Sequence, residues 1–537
     1  MKRTLLILAL VGVVALPFLL RPKQAKVGTV AETLVIITPH NEAIRYEFSQ
    51  GFHEWYQKKT GQAVAIDWRV IGGTSEIARF LESEYVASFQ NYWTRQLGRS
   101  WSNEVQAAFA NARLAKDAPP TAQEARRLFL GSHVSCGIDI FFGGGTNDFI
   151  RQAEAGRIVD GGMLQLHPEW FDEKVIPQTY TGEPYWEEQG RWYGPVLSGH
   201  GMIFNFDALA RLGVARPPHE WADLQDPRLQ GEVALCDPTK SGSISKGFEG
   251  LIQEQIYQEW ARLEQETGKP RAELEQEALS RGWERGLRLI QRIGANARYF
   301  TDTSQKPPID VAAGNCAVGM CIDFYGRYQE QNANERSGET RLGYTSPPGG
   351  TVLSPDPIAL MRGAPHRELA VAFIEYTLSM EGQKLWNFKP GTPGGPKRYS
   401  LRRMPIRRDY YSENAFVPYR SDPKDNPYGI ANPLVYNSAW TAGIFREMSF
   451  VIRVMCLDPH PELVSAWREI IQAGQPEAAL TVMGDLSAVS YEQMFRRIKP
   501  ALNSKSKVDE VRLANELTGH FREQYLQAAE IAKESRH

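Results

Sequence analysis

Cysteine is scarce: five residues in 537 (Cys136, Cys236, Cys316, Cys321 and Cys456), with no CxxC pair among them. So scattered a set excludes a disulfide framework and a cysteine-based zinc or redox site. Cys316 and Cys321 stand close enough to pair in an oxidising compartment, but buried thiols acting as small hydrophobes are the expected state. Excess charge of either sign is also missing, since 61 Lys+Arg face 63 Asp+Glu for a formal charge of −2. That balance offers no wide positive field for nucleic acid. Ten histidines include no HxxxH or HExxH spacing, and neither a GxxxxGK[ST] loop nor a GxSxG elbow occurs. Zincin, P-loop and serine-hydrolase chemistry therefore lack their residues.

Long hydrophobic runs are limited to one, Leu5 to Leu20, broken only by Gly12 and Pro17 and flanked by Lys2-Arg3 and Arg21/Lys23. Sixteen residues fall short of the ~20 that span a bilayer. No small-x-small triplet closes the run, and the nearest, Thr29-Val30-Ala31, comes late. Residues 1–30 read as an export signal or an uncleaved anchor. On either reading the body is periplasmic or otherwise extracytoplasmic, with residues 5–20 as a possible inner-membrane tether.

What remains is an ordinary water-facing chain, 42% hydrophobic and 23% charged, long enough for two to four domains. From residue 33 short apolar runs alternate with amphipathic stretches, the pattern of an α/β protein. Leu34–Thr38, Val64–Val70 and Ile138–Phe142 read as strands, each followed by a loop and a helix entry. A Trp-containing, Ala-rich stretch at about 84–132 reads as a helical insertion. Gly231–Cys236 is a further strand running into Asp237-Pro238-Thr239-Lys240-Ser241-Gly242-Ser243 and a helix. After the turn-dense Gly391–Pro396, the segment Lys397 to Arg408 carries six basic residues in twelve. A solvated surface is expected there, with contact to anionic headgroups or an acidic partner as the alternative. The rest, to His537, reads as a helical packing extension without a site of its own.

Loops at strand ends that lead into helices form the ligand crevice of α/β proteins, and helix N-termini suit anions. The candidate contacts are His40 and Asn41; Gly73, Thr74 and Ser75; Gly144, Gly145 and Thr146; Ser198 and His200; Thr239, Lys240, Ser241 and Ser243; Asp323, Tyr325 and Arg327. Each has a plainer use: a helix cap, a tight turn, or in Asp323 and Arg327 a local ion pair. Lys240 is expected to supply the point charge toward an anion. No catalytic residue, metal site or cofactor is assigned.

In order along the chain, these pieces resemble a known family. Thr38-Pro39-His40-Asn41-Glu42, Gly72-Gly73-Thr74-Ser75, and Asp139–Gly145 with Ala155-Gly156 and Val159 resemble the extracellular solute-binding proteins of ABC importers, ferric-iron-type branch. Trp221–Leu224, Asp226-Pro227, Gly231 and Asp237–Ser243 are similar to that family's second lobe, and Pro347–Thr351 and Ala370–Leu385 to its return into the first.

The resemblance implies an α/β, two-lobed fold of the periplasmic-binding-protein type II. Residues 31–197 plus 341–395 would form the first lobe, 198–340 the second, and 396–537 the helical extension. The implied function is capture of a small solute between the lobes and delivery to a permease in the inner membrane. Ferric binders of the family use a histidine in the first loop, an acid in the third and adjacent tyrosines in the second lobe. Here His40 matches, but the third loop is Gly143-Gly144-Gly145 and Phe324-Tyr325 replaces the tyrosine pair. One phenolate is too few for Fe3+. The expectation is therefore an organic anion such as a phosphonate, phosphate ester or carboxylate. The alternatives are a ferric-ion binder and an envelope enzyme on the same fold, with Asp237 or Asp323 as base and His200 as acid. A third, a membrane-side regulatory partner, would use the extension after residue 400.

Overall fold

The computed structural model describes residues 32–504 and 506–536. The reading of residues 1–30 lies outside them. No helix among the described residues is long and apolar enough to cross a membrane.

Four strands open the chain: β1 (Glu32–Ile37), β2 (Val64–Arg69), β3 (Ile140–Phe142) and β4 (Ile158–Val159). A hairpin of β5 (Thr179–Tyr180) and β6 (Glu183–Pro184) leads to β7 (Val196–Ser198). Then come β8 (His200–Asn205), β9 (Val233–Cys236), β10 (Ala297–Thr301), β11 (Val318–Ile322) and β12 (Leu342–Thr345). The chain returns through β13 (Ser354–Pro355) and β14 (Ile358–Met361), and β15 (Met404–Pro405) follows much later.

Two five-stranded sheets result, in the orders β2-β1-β3-β14-β4 and β10-β9-β11-β8-β12. In each, the fourth strand arrives from the other lobe and runs antiparallel to its neighbours. The two sheets thus share one topology, and each presents the carboxyl ends of its parallel strands toward the same crevice. β3 is fully buried because both faces of the first sheet carry helices, which explains the unbroken run Ile140-Phe141-Phe142.

The lobe boundaries differ from expectation in two places. β12 pairs with β8 from Leu342↔Asn205 to Thr345↔Met202, so the second lobe runs through residue 345 rather than stopping at 340. Residues 396–537 are no separate appendage either. β15 pairs with β7 beside β13, so the connection between lobes is a three-stranded antiparallel sheet, β13-β7-β15. Lys397 and Arg398 are exposed as expected of a basic surface, whereas Arg403 and Arg407 are buried.

The stretch at 84–132 is helical as expected, with helices Thr74–Asn91, Asn103–Ala108 and Pro120–Gly131 packing through Phe89, Phe109 and Phe129. Beyond residue 437 a helical layer covers the outer face of helices Gly242–Thr267 and Arg271–Asn296. Its polar anchors include Trp283 Nε1 donating to Val489 O (3.0 Å), Gln291 Nε2 to Met483 O (2.9 Å) and Trp467 Nε1 to Asn296 Oδ1 (2.8 Å). Ile252, Ile256, Leu287 and Ile290 share one apolar core with Met448, Val451 and Met455. All five cysteines are free, Cys316 and Cys321 among the buried ones.

A chain ending at Gly395 is expected to lose cooperative folding, because it strips the hinge of a strand and the second lobe of its outer cover. Thermal circular dichroism of the truncated protein should give no single sharp transition. A melt within a few degrees of the full chain's would mean that the extension is dispensable.

Candidate functional site

The lobes are closed on each other. Gly73 lies against the Lys240 carbonyl and Gly145 against the Gly242 carbonyl, so a side chain at Gly73 would collide with the opposite lobe and one at Gly145 would press tightly on it. Across the same seam Gln305 Nε2 donates to Pro39 O at 3.4 Å. The N-termini of helices Thr74–Asn91, Thr146–Ala155 and Gly242–Thr267 meet here. Their first N–H groups have no partner within their own helices.

At the hinge end of the seam sits Arg403, 0% exposed. One guanidinium nitrogen pairs with Asp356 Oδ2 at 2.6 Å and also donates to Ser198 Oγ, while the cation lies over the Phe324 ring at 4.1 Å and the Trp386 ring at 5.1 Å. Asp356 also accepts from Gly144 N and from His40 Nε2, the latter at 3.2 Å. Burial alone would raise the Asp356 carboxyl, but the Arg403 charge and the His40 and Gly144 hydrogen bonds outweigh it and hold it well below the usual range. His40, 3% exposed, is pushed toward its neutral form by burial, against the pull of Asp356. Its Nε2 stands between Asp356 Oδ2 at 3.2 Å and Arg403 Nη1 at 3.4 Å, and Nδ1 has no partner in the protein.

The third loop is glycine for a local reason. Gly143 and Gly144 adopt φ of +90° and +121°, and their α-carbons abut the His40 ring and the Thr74 side chain. Any β-carbon here would displace the histidine or open the seam.

Beside the arginine stand Asp323 and Tyr325, at the start of helix Asp323–Ser337. Burial raises the Asp323 carboxyl to about 6 against the charges of Arg327 and Arg403, and raises the Tyr325 phenol far enough to keep it protonated at neutral pH. His200 is 2% exposed, neither ring nitrogen makes a well-formed hydrogen bond in the protein, and burial outweighs the nearby Ser243 backbone to lower its pKa to about 4.

Of the residues expected to meet a ligand, His40, Gly144, Ser198, Asp323 and Tyr325 gather around the Arg403–Asp356 pair. Gly73, Gly145, Thr74 and Ser75 line the seam, with Thr146 there too, its hydroxyl donating to Pro355 O at 3.3 Å. Half-buried Ser243 and N-cap Ser241 flank Gly242, Ser241 Oγ accepting from Ile244 N.

The other expected contacts are engaged within the protein. Lys240 is a rim residue whose ammonium pairs with Asp302 at 2.6 Å, because the helix entry turns its side chain outward. Asn41 caps its own helix through Ile44 N at 3.1 Å. Thr239 closes a turn on Asp237, donating to its Oδ1 at 2.7 Å. Arg327 is held by Asp422 and Asp425 of the segment after residue 400. The base–acid pair imagined for an enzyme is not assembled: Asp237 is engaged by Thr239, and neither Asp237 nor Asp323 forms a hydrogen bond to His200.

Sequence reasoning missed Arg403 and Asp356. Asp356, between Pro355 and Pro357 on the return strand, was at least marked by that flanking pair, whereas Arg403 was one arginine among six basic residues.

The sequence profile of the family described as bacterial extracellular solute-binding protein matches residues 137–405, half of the chain, and reaches just past Arg403. The chain belongs to this family. An uncharacterised protein of Haemophilus influenzae is 26% identical over 248 residues, 46% of this chain and 60% of that protein. The phosphoglycerate transport regulatory protein PgtC of Salmonella typhimurium is 26% identical over 190 residues, 35% of this chain and 39% of that protein. The chain thus spans less than two thirds of either relative. Among solved structures, the periplasmic binding protein AfuA of Actinobacillus pleuropneumoniae, with fructose-6-phosphate bound, is 14% identical. The superposition covers 82% of this chain and 99% of that one, with a TM-score of 0.48.

Asp148, in the first turn of its helix, faces Gly242 across the seam with Oδ2 unpartnered, and burial raises its carboxyl to about 6 against the fields of Arg151 and Arg79. A raised acid destabilises the folded form above that pH, and the penalty fades as pH falls through about 6 toward the unfolded value near 4. Asp148→Asn should therefore stabilise the protein by about 1–3 kcal/mol near pH 8, with the gain vanishing near pH 4. Melting temperatures across that range check this, and a difference independent of pH would contradict it.

Proposed function

We propose that this chain is the extracytoplasmic solute-binding component of an ABC importer, closing its lobes around a small organic anion and presenting it to an inner-membrane permease. The observation that carries this reading is a cluster of buried polar atoms at the hinge end of the seam. Arg403 Nε, His40 Nδ1 and both nitrogens of His200 make no well-formed hydrogen bond within the protein. Buried polar groups are almost always hydrogen-bonded, so such a concentration between two closing lobes marks where a polar solute is held. Arg403 supplies planar donors, and the three helix N-termini supply N–H groups with partial positive charge. Contacts from both lobes make the closed state favourable only when the solute is present. PgtC, named for phosphoglycerate transport, and family membership support a phosphate ester or related carboxylate as the class.

Binding is the reading that family membership supports, and among the described residues neither Asp237 nor Asp323 is hydrogen-bonded to His200. Iron as cargo fits less well, because Asp356 is already neutralised by Arg403 and the Tyr325 phenol is held in its protonated form. Residues 5–20, as export signal or tether, would deliver the body to the extracytoplasmic side.

Calorimetric titration of the purified protein with phosphate esters, phosphonates and small carboxylates tests this. Arg403→Lys keeps the charge that balances Asp356 but loses the planar fork. It should weaken binding by about 1.5–3 kcal/mol, tenfold or more, in a protein that melts at a lower temperature but is still folded at the temperature of the titration. Unchanged affinity in that variant, or turnover of an ester, would sink the proposal. Purified with ferric citrate, the protein should show no tyrosinate-to-iron charge-transfer band, and a stoichiometric band lost in Tyr325→Phe would restore iron as the cargo.

A further inference from the structure

A second polar recess lies on the second lobe, away from the seam. It is a groove of about 450 Å³ between helices Gly242–Thr267 and Arg271–Asn296 and the turn Trp221–Gln225. Its wall on the first helix, at Glu254, is twelve residues from Gly242, or ~18 Å along the axis at 1.5 Å per residue. It continues into a neighbouring groove of about 550 Å³ that shares Ala222, Gln225 and Arg292.

Arg285, Arg288 and Arg292 project from one face of helix Arg271–Asn296, at the i, i+3, i+7 spacing that puts side chains in a row. Arg285 reaches Glu259 at 3.5 Å. Arg288 and Arg292 make no ion pair among the described residues: Arg288 donates to Gly484 O at 3.3 Å and Arg292 to Gln225 Oε1 at 3.1 Å. They stand close enough that burial and the Arg288 charge together lower the Arg292 pKa. The Arg288 charge also helps to lower the Asp485 carboxyl. Two adjacent guanidiniums without a carboxylate are poorly compensated unless an oxyanion joins them.

The opposite wall has the complementary character. Glu254 is 7% exposed; its Oε1 accepts from Gln258 Nε2 at 3.3 Å, and its Oε2 has no partner. Burial and the field of Glu220 outweigh the Gln255 and Gln258 side chains and the Arg285 charge and raise this carboxyl to about 7, so near neutral pH it can accept or donate a hydrogen bond. Glu254 is one of the residues that line the groove.

We propose that this groove is a second solute site, distinct from the seam, for a small molecule that joins an oxyanion to a hydrogen-bond donor. The carboxylate or phosphate lies on Arg288 and Arg292, and an ammonium or hydroxyl faces Glu254. Amino acids and their phosphorylated forms carry both groups within the length of the groove.

The test uses the full chain in its Arg403→Lys form, so that binding at the seam and binding in the groove are scored separately, with inorganic phosphate, L-serine and O-phospho-L-serine as probes. O-phosphoserine should still bind when Arg403 is replaced. Arg288→Gln combined with Arg292→Gln should weaken it about tenfold or more. Glu254→Gln should weaken the two serine probes and leave inorganic phosphate unchanged, which a merely structural role for Glu254 would not do. No saturable binding of any probe up to about 10 mM, or binding indifferent to the arginine pair, overturns the proposal. Neither result bears on the seam, whose reading stands or falls with the Arg403→Lys titrations of the parent protein.

Discussion

The Arg403–Asp356 ion pair is the interaction on which the rest of the hinge depends. Two charges taken wholly out of water are costly unless each is paired and further hydrogen-bonded, and removing one partner strands the other. Here the requirement is met by parts far apart in the chain: Asp356 lies between β13 and β14, Ser198 ends β7, Gly144 belongs to the third loop and Arg403 precedes β15. Satisfying one buried pair therefore fixes the three hinge strands, the His40 ring and the glycine conformation of the third loop together.

The segment after residue 395 does more than cover apolar surface. It supplies the cation of the cleft, the third hinge strand and two bridges between lobes. One bridge joins Arg327 of the second lobe to Asp422 and Asp425, while Ser421 N donates to Asn387 O of the first lobe at 2.6 Å. The other runs from Thr181 O of the hairpin, which accepts from Tyr436 N at 2.8 Å, to Gln253 of the second lobe, which accepts from Asn437 N at 2.8 Å. Beside it Lys246 is enclosed by Glu183, Glu249 and the Tyr436 ring. Burial raises the Glu183 carboxyl to about 7 despite the lysine, so this knot carries two acids for one cation. Opening the lobes has to accommodate these ties as well as the hinge itself.

Much of the frame could be read from sequence because its signals are local. Asn41 before an amphipathic run marks a helix start, and the structure uses it so. The apolar run Ile140–Phe142 followed by glycines marks a buried strand and a tight loop, and the positive φ values at Gly143 and Gly144 bear that out. Helix Gly242–Thr267 was harder. Its residues from Ile244 to Ile256 are buried on nearly all sides, since the cover on its outer face comes from residues beyond 437. Periodicity reports one buried face and goes silent when a helix has two.

The amino-acid order by itself determined the alternation of strands and helices, the helix entries and the glycine loops, because each follows from backbone geometry within a few residues; the two-lobed class came from the family resemblance that these pieces carry in order. The tertiary structure alone decided which charge enters the cleft. Lys240, Arg327 and Arg403 are equally cationic in sequence, yet Asp302 holds the first at the rim, and Asp422 and Asp425 hold the second. Only the third is drawn into the cleft, by an aspartate forty-seven positions upstream. Whether a charged side chain is solvated or buried depends on partners that only the folded chain brings within a few ångströms, and no local pattern encodes that distance.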